Sequence, residues 1–167
     1  MFNLFKKNFY INFFIVISIF ILDRVSKVVV IYLNDRNYGQ DLFNSKFLNI
    51  TLVWNEGIAF GLFSFNEKIF YHLLTLMIGI VIILIFFMIK NNEGFKKYSL
   101  LMILGGAIGN FYDRIFFNAV PDFIDFHIEN FHWFIFNVSD IFITLGVILM
   151  IVLEVFSNKR ETTNEKI

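Results

Sequence analysis

The sequence predicts an all-α membrane protein with four transmembrane helices and a small extracytoplasmic β-sheet or loop region. Three observations carry that reading. Hydrophobic residues make up 57% of the 167, and the mean hydropathy is +0.69, which leaves too little polar surface for a soluble domain. Four apolar stretches come close to or exceed the ~20 residues a helix needs to cross a bilayer. Basic residues gather in alternate connections between those stretches, as the positive-inside rule requires.

The first span covers 9–33 and holds Asp23, Arg24 and Lys27 in its second half. It is too long for a signal-peptide core and no A-x-A-like site follows, so it reads as a retained anchor. An outer loop, 34–68, comes next. Within it Phe47 to Trp54 is rich in β-branched and aromatic residues and reads as a strand. The segment Asn55 to Gly61 follows, where Gly57 and Gly61 permit turns or a close backbone approach. The second span, 69–89, has no charge; a polar connection, Lys90 to Lys97, joins it to the third, 98–117. A second outer loop, 118–137, leads to the fourth span, 138–156, and a polar tail, 157–167. The whole chain, 1–167, reads as a single domain without internal repeats.

Lys6 and Lys7, then Lys90, Lys96 and Lys97, then Lys159, Arg160 and Lys166 fall on one side, the expected cytoplasmic side. Both termini are therefore expected inside. The zero net charge gives no reason for a nucleic-acid partner. The absence of cysteine removes disulfides, thiolate metal sites and a cysteine nucleophile.

Ionisable groups in or beside a span are costly and each needs a reason. Here they collect toward the outer ends. Asp23 and Lys27 lie four apart on one face of span one, and Asn110, Asp113 and Arg114 share a face of span three. Asp23–Lys27 and Asp113–Arg114 read as ion pairs between or along helices. Asp140, three residues after Asn137, opens an apolar run with no basic residue near it, and Asp122 has no close basic neighbour in sequence. Two carboxyl groups from opposite ends of one outer loop are placed to meet. At a few ångströms such a pair holds one proton, so one member takes a proton from water while the other donates to a carbonyl.

Other chemistries are less well supported. No H-E-x-x-H or G-x-S-x-G is present. Asp122, Asp125, His127, Glu129 and His132 contain metal-ligating groups at a spacing that matches no motif, and no metal is assigned to them. Gly105, Gly106 and Gly109 read as small-residue helix packing. A proton-coupled transporter would spread its acids through the membrane depth and show repeats; here only Glu154 lies toward the inner end. A non-catalytic scaffold would leave the isolated acids without explanation.

Taken together, these segments resemble the lipoprotein signal peptidase (signal peptidase II) family. Asp23-Arg24-Val25-Ser26-Lys27 is similar to its first box. Asn55-Glu56-Gly57-Ile58-Ala59-Phe60-Gly61 resembles its Asn-x-Gly-x-Ala-Phe-Gly box, and Gly105-Gly106-Ala107-Ile108-Gly109-Asn110-Phe111-Tyr112-Asp113-Arg114 matches a third box almost letter for letter. Val120-Pro121-Asp122-Phe123-Ile124 and Phe136-Asn137-Val138-Ser139-Asp140 resemble the two that hold the catalytic acids. Pro121, where an apolar β-branched residue is expected, and Ser139, in place of Ala, are departures. Asp125 competes with Asp122 for the first acid, because Phe follows both.

The resemblance implies an integral membrane aspartic endopeptidase with Asp122 and Asp140 as its dyad. It implies that Asn55, Asn110 and Asn137 orient substrate or the dyad, that Asp23, Lys27, Asp113 and Arg114 support them, and that Gly57 belongs to an outer sheet. The implied partners are diacylglyceryl-modified bacterial prolipoproteins, cut before the lipidated cysteine, and the phospholipid membrane. No cofactor or metal is implied, and a monomer suffices. The implied location is the bacterial inner (cytoplasmic) membrane, with the site near the extracytoplasmic face.

Overall fold

A computed structural model of the chain describes residues 2–57, 68–129 and 131–164. Gly61 and its neighbours at the end of the Asn55 segment lie outside the described residues, as do Lys166 and the side chains of Lys6, Lys7, Lys159 and Arg160.

Long apolar runs without proline produce the helices. Helix α1 spans Phe2–Arg36, α2 Lys68–Asn91, α3 Gly94–Phe117 and α4 Val138–Asn164. Among the described residues three segments are long and apolar enough to cross a membrane: Tyr71–Asn91, Gly94–Phe117 and Val138–Phe156. The polar connection expected over Lys90 to Lys97 is shorter than the sequence suggests. Helix α3 begins at Gly94, which takes a positive φ of 57°, a conformation open to glycine without a Cβ penalty. Lys96 then rides on the first turn of α3 and its Nζ lies 2.8 Å from Glu154 on α4. Glu154, toward the far end of α4 from Asp140, is thus a surface ion-pair partner, the pair worth at most about 1 kcal/mol.

Helix α3 is central, packing against α1, α2 and α4. Its glycines allow this. A Cβ at Gly105 would meet Ile19 of α1, at Gly106 the Ser139 carbonyl and Ile143 of α4, and at Gly109 both Asp23 and Ser139. Below this contact lies an apolar core of Ile85, Ile89, Leu100, Leu101 and Leu104, flanked by Ile15, Val16 and Met150. The outward faces stay apolar: Phe13, Phe14, Leu76, Phe86, Phe87, Ile148 and Ile151 are all exposed, as suits helices whose surroundings are hydrocarbon.

At the other end sits a four-stranded antiparallel sheet in the order β1-β2-β3-β4. It is built from β1 (Phe43–Asn44), β2 (Leu48–Asn55), β3 (Val120–Ile128) and β4 (Phe131–Phe136). Strand β2 agrees with the strand read over Phe47 to Trp54. The 118–137 segment, expected as a loop, is instead a β-hairpin that supplies half the sheet. Pro121 fits because β4 pairs with β3 only from Ile124 onward. Opposite Trp54, Pro121 therefore has a neighbour strand on one side, and its missing N–H leaves no gap in a second ladder. β3 pairs with β2 through a bulge between Ile50 and Val53 and with β4 through one between Asp125 and His127.

Candidate active site

The site forms where α1, α3 and the start of α4 meet β2 and β3. Its base is a buried ion network. Asp23 and Asp113 are 0% exposed and Lys27 is 1% exposed. Lys27 Nζ lies 2.9 Å from Asp23 Oδ1 and 2.7 Å from Asp113 Oδ2, and donates to Asn110 Oδ1 at 2.8 Å. Arg24, for which residue spacing suggests no role, completes it. Its guanidinium approaches Asp113 Oδ1 at 2.6 Å and Asp23 Oδ2 at 2.9 Å and lies 4.8 Å from the Tyr112 ring centre. Two cations thus neutralise two carboxylates, the condition under which charges tolerate burial. Asp113 pairs with these α1 cations and not, as expected, with its neighbour Arg114. Arg114 turns the other way, donating to the Gly57 carbonyl at 3.0 Å and to the Asn110 carbonyl at 3.3 Å. This ties the backbone after β2 to α3.

Above the network stand three asparagines, each with its amide orientation fixed by an unambiguous donor. Asn110 Oδ1 accepts from the Lys27 ammonium, so its Nδ2 faces outward and donates to Asp140 Oδ1 at 2.7 Å. Asn55 Oδ1 accepts from the Gly57 N–H, so its Nδ2 donates to Asp122 Oδ2 at 2.9 Å. Asn137 Oδ1 accepts from the Asp140 N–H at 3.2 Å, so its Nδ2 donates to Asp122 Oδ1 at 2.6 Å.

The Asn137–Asp140 pair is also a helix start. Asp140 Oδ2 accepts from the Asn137 N–H at 3.1 Å, so the two residues satisfy each other reciprocally as a capping box. The Ser139 N–H donates to Asp23 Oδ1 at 3.1 Å, pinning this turn to α1. Asn137 therefore touches both acids, and through it the position of Asp122 on a strand is referred to that of Asp140 on a helix.

Asp122 is buried, at 4% exposure. Burial, and next the Asp140 carboxylate, push its pKa up to about 6, against the opposing amides of Asn55 and Asn137 and the charge of Lys27. Asp125 is three residues along the same strand and so on the opposite face. Its partners are His132, at 2.8 Å, and Asn49, at 3.5 Å. Thus Asp122, and not Asp125, shares Asn137 with Asp140. Among the described residues the one group of three metal-ligating side chains is Asp125, His127 and His132 on that far face. Asp122 and Glu129 do not join it.

A profile of the family described as signal peptidase (SPase) II matches residues 15–156. The chain belongs to that family. It is 49% identical over 160 residues to a lipoprotein signal peptidase of Pelagibacter ubique (strain HTCC1062), covering 96% of each chain. It is 41% identical over 127 residues to one from Francisella tularensis subsp. tularensis (strain SCHU S4 / Schu 4), covering 74% of this chain and 79% of that one. A solved bacterial membrane enzyme, determined in meso at 2.3 Å resolution, superposes with a TM-score of 0.71 at 31% identity, over 89% of this chain and 90% of the other. A second, at 1.9 Å resolution, gives a TM-score of 0.64 at 33% identity over 85% and 90%. The chain is accordingly a peptidase of a membrane-enzyme family.

Proposed function

We propose that this chain is an aspartic endopeptidase that removes signal peptides from diacylglyceryl-modified bacterial prolipoproteins, cutting before the lipidated cysteine, with Asp122 and Asp140 as its catalytic pair. The observation that carries the reading is the double use of Asn137, which donates from Nδ2 to one acid and from its backbone N–H to the other. The pair holds one shared proton; Asp122, with its pKa raised to about 6, is assigned as the proton donor and Asp140 as the base. Asp140 takes a proton from water as the water oxygen adds to the scissile carbonyl carbon. Asp122 gives its proton to the carbonyl oxygen. As the tetrahedral carbon collapses, one of its hydroxyls returns a proton to Asp122, the C–N bond breaks and the leaving nitrogen takes up the proton held by Asp140. Asn55, Asn110 and Asn137 hold the acids in register for these transfers. Asp23, Arg24, Lys27 and Asp113 hold Asn110, and Arg114 holds Gly57.

The membrane arrangement belongs to the same proposal. The exposed apolar face of α1, with Phe13, Phe14, Ile21 and Val25 turned outward, supports reading it as a fourth crossing beside the three long apolar segments. The basic Lys90, Lys96 and Lys97 lie at the end of the bundle away from the sheet, which supports the reading that both termini are cytoplasmic and the acids near the extracytoplasmic face of the inner membrane. There the lipid tails of a substrate remain in the bilayer while its scissile bond reaches the acids. The test is a gel-shift assay on purified protein and a diacylglyceryl-modified prolipoprotein. Asp122→Asn and Asp140→Asn are each expected to lose about 10²–10⁴-fold in rate while remaining folded, and Glu154→Gln, at the opposite end, to cleave as wild type. Full cleavage by either folded Asp variant overturns the assignment.

A further inference from the structure

The far face of the sheet carries a second constellation that the peptidase reading does not use. His127 and His132 are cross-strand partners on β3 and β4, and Asp125 lies two residues before His127 on the same face. The imidazole rings stack with centres 5.0 Å apart and 20° between planes. Asp125 Oδ2 is 2.8 Å from His132 Nδ1 and 4.0 Å from His127 Nδ1, and one ligand atom from each residue falls within 4.8 Å of the others. Asp125 and His127 side chains are only 4% and 9% exposed, yet Asp125 Oδ1 and His127 Nδ1 have no hydrogen-bond partner. Two unpaired buried polar atoms pointing into one cluster need an explanation, since leaving such a group unsatisfied costs about 1–3 kcal/mol.

We infer that Asp125, His127 and His132 form a binding site for a divalent transition-metal ion of the zinc type, clipping β3 to β4. The donor set decides the class. Two imidazole nitrogens and one carboxylate suit zinc and its neighbours, whereas calcium and magnesium ask for oxygen ligands alone. The geometry needs little change: three ligands at about 2.0–2.2 Å from a tetrahedral ion lie a little over 3 Å apart. Asp125 and His132 would part slightly and His127 would close in. Asn49, whose Nδ2 lies 3.5 Å from Asp125 Oδ2 and whose Oδ1 accepts from the Ser45 N–H, steadies the carboxylate from β2. His132 is 54% exposed, which leaves the fourth position open to water. The ion holds the hairpin of which Asp122 is a part but lies on the face opposite that acid, so its role is to stiffen the sheet.

The test is metal binding, read independently of cleavage. Untagged full-length protein in detergent, stripped with a chelator, is titrated with Zn²⁺ and then with Co²⁺ as an optical probe. The expected result is one equivalent per chain, a tetrahedral Co²⁺ absorption band, and a rise in Tm with Zn²⁺. His132→Ala, at an exposed position, is expected to weaken binding about 10–100-fold or more and abolish the Tm rise. Since the chain has three histidines, the His127→Ala/His132→Ala double variant leaves only His72. Stoichiometric binding that survives in the double variant overturns the site, as does wild-type protein that takes up no Zn²⁺ at micromolar concentration. Neither result bears on whether Asp122 and Asp140 cleave.

Discussion

Asp122 responds to pH in a direction set by its neighbours. Its carboxyl is raised to about 6 by burial first and by the Asp140 charge second, while the donated hydrogen bonds from Asn55 and Asn137 pull the other way. Below that value Asp122 is protonated and can serve as the acid; as pH rises through it, that proton is lost. The kcat/KM profile of wild type is therefore expected to fall on its alkaline side with an apparent pKa near 6. Asn55→Ala removes a donor that favours the ionised form, so it raises the Asp122 pKa further and moves the alkaline limb to higher pH. A limb that stays put in Asn55→Ala, or moves down, contradicts the assignment of Asp122 as the proton carrier. At this scale the sequence was partly legible. Asn137 and Asp140 stand out as three apart at the start of an apolar run, and Asp23 and Lys27 as a helix-face pair. Arg24 escaped because a residue adjacent to Asp23 projects about 100° around the helix. Only its long side chain, wrapped back over Tyr112, brings it to Asp113. Asp125, His127 and His132 stood out only within a wider group that included Asp122 and Glu129, because which of the five meet depends on hairpin register and a bulge that spacing does not encode.

At the scale of elements the helices were legible and half the sheet was not. A strand with one wet face announces itself by alternation, but β3 places Asp122 on one face and Asp125 on the other, so it breaks the pattern and reads as loop. Polar groups required on both faces erase the signal that would have revealed the strand. The glycines of α3 were legible as packing, and the structure gives that a sharper consequence. A methyl at Gly109 would press on Asp23, itself locked by Lys27 and Arg24, and on Ser139. Gly109→Ala is expected to destabilise by about 1–3 kcal/mol, the usual range for overpacking. Ser139 suggests a partial remedy, because its buried Oγ makes no hydrogen bond. Gly109→Ala/Ser139→Ala should recover part of the loss, giving a non-additive double-mutant cycle. Thermal unfolding of the four proteins in one detergent measures it, and strict additivity would mean that the two residues do not share the contact.

For the whole molecule, the distribution of polarity along the bundle is the informative feature. The buried charges, the three asparagines and the sheet occupy one end, while Lys90, Lys96, Lys97 and the Lys96–Glu154 pair occupy the other. Between them the exposed surface is largely aliphatic and aromatic. Such a molecule has a single depth in a bilayer and two possible directions, and the positive-inside rule chooses between them. The absence of cysteine makes the choice measurable without background. Single cysteines are placed at Asn3, at Lys46 in the β1–β2 connection and at Glu93 between α2 and α3, and spheroplasts are treated with a membrane-impermeant maleimide. Lys46→Cys is expected to label at once, and Asn3→Cys and Glu93→Cys only after lysis. Labelling of Lys46→Cys and Glu93→Cys from the same side would deny that α2 crosses. Labelling of Asn3→Cys together with Lys46→Cys in intact spheroplasts would deny the crossing by α1, the helix whose second half carries Asp23, Arg24 and Lys27. That last result would leave the ion network without a membrane to be buried in, and its charges would then have to be explained by folding alone. The full inverse pattern would instead turn the acids toward the cytoplasm, away from any substrate whose lipid anchor sits in the outer leaflet.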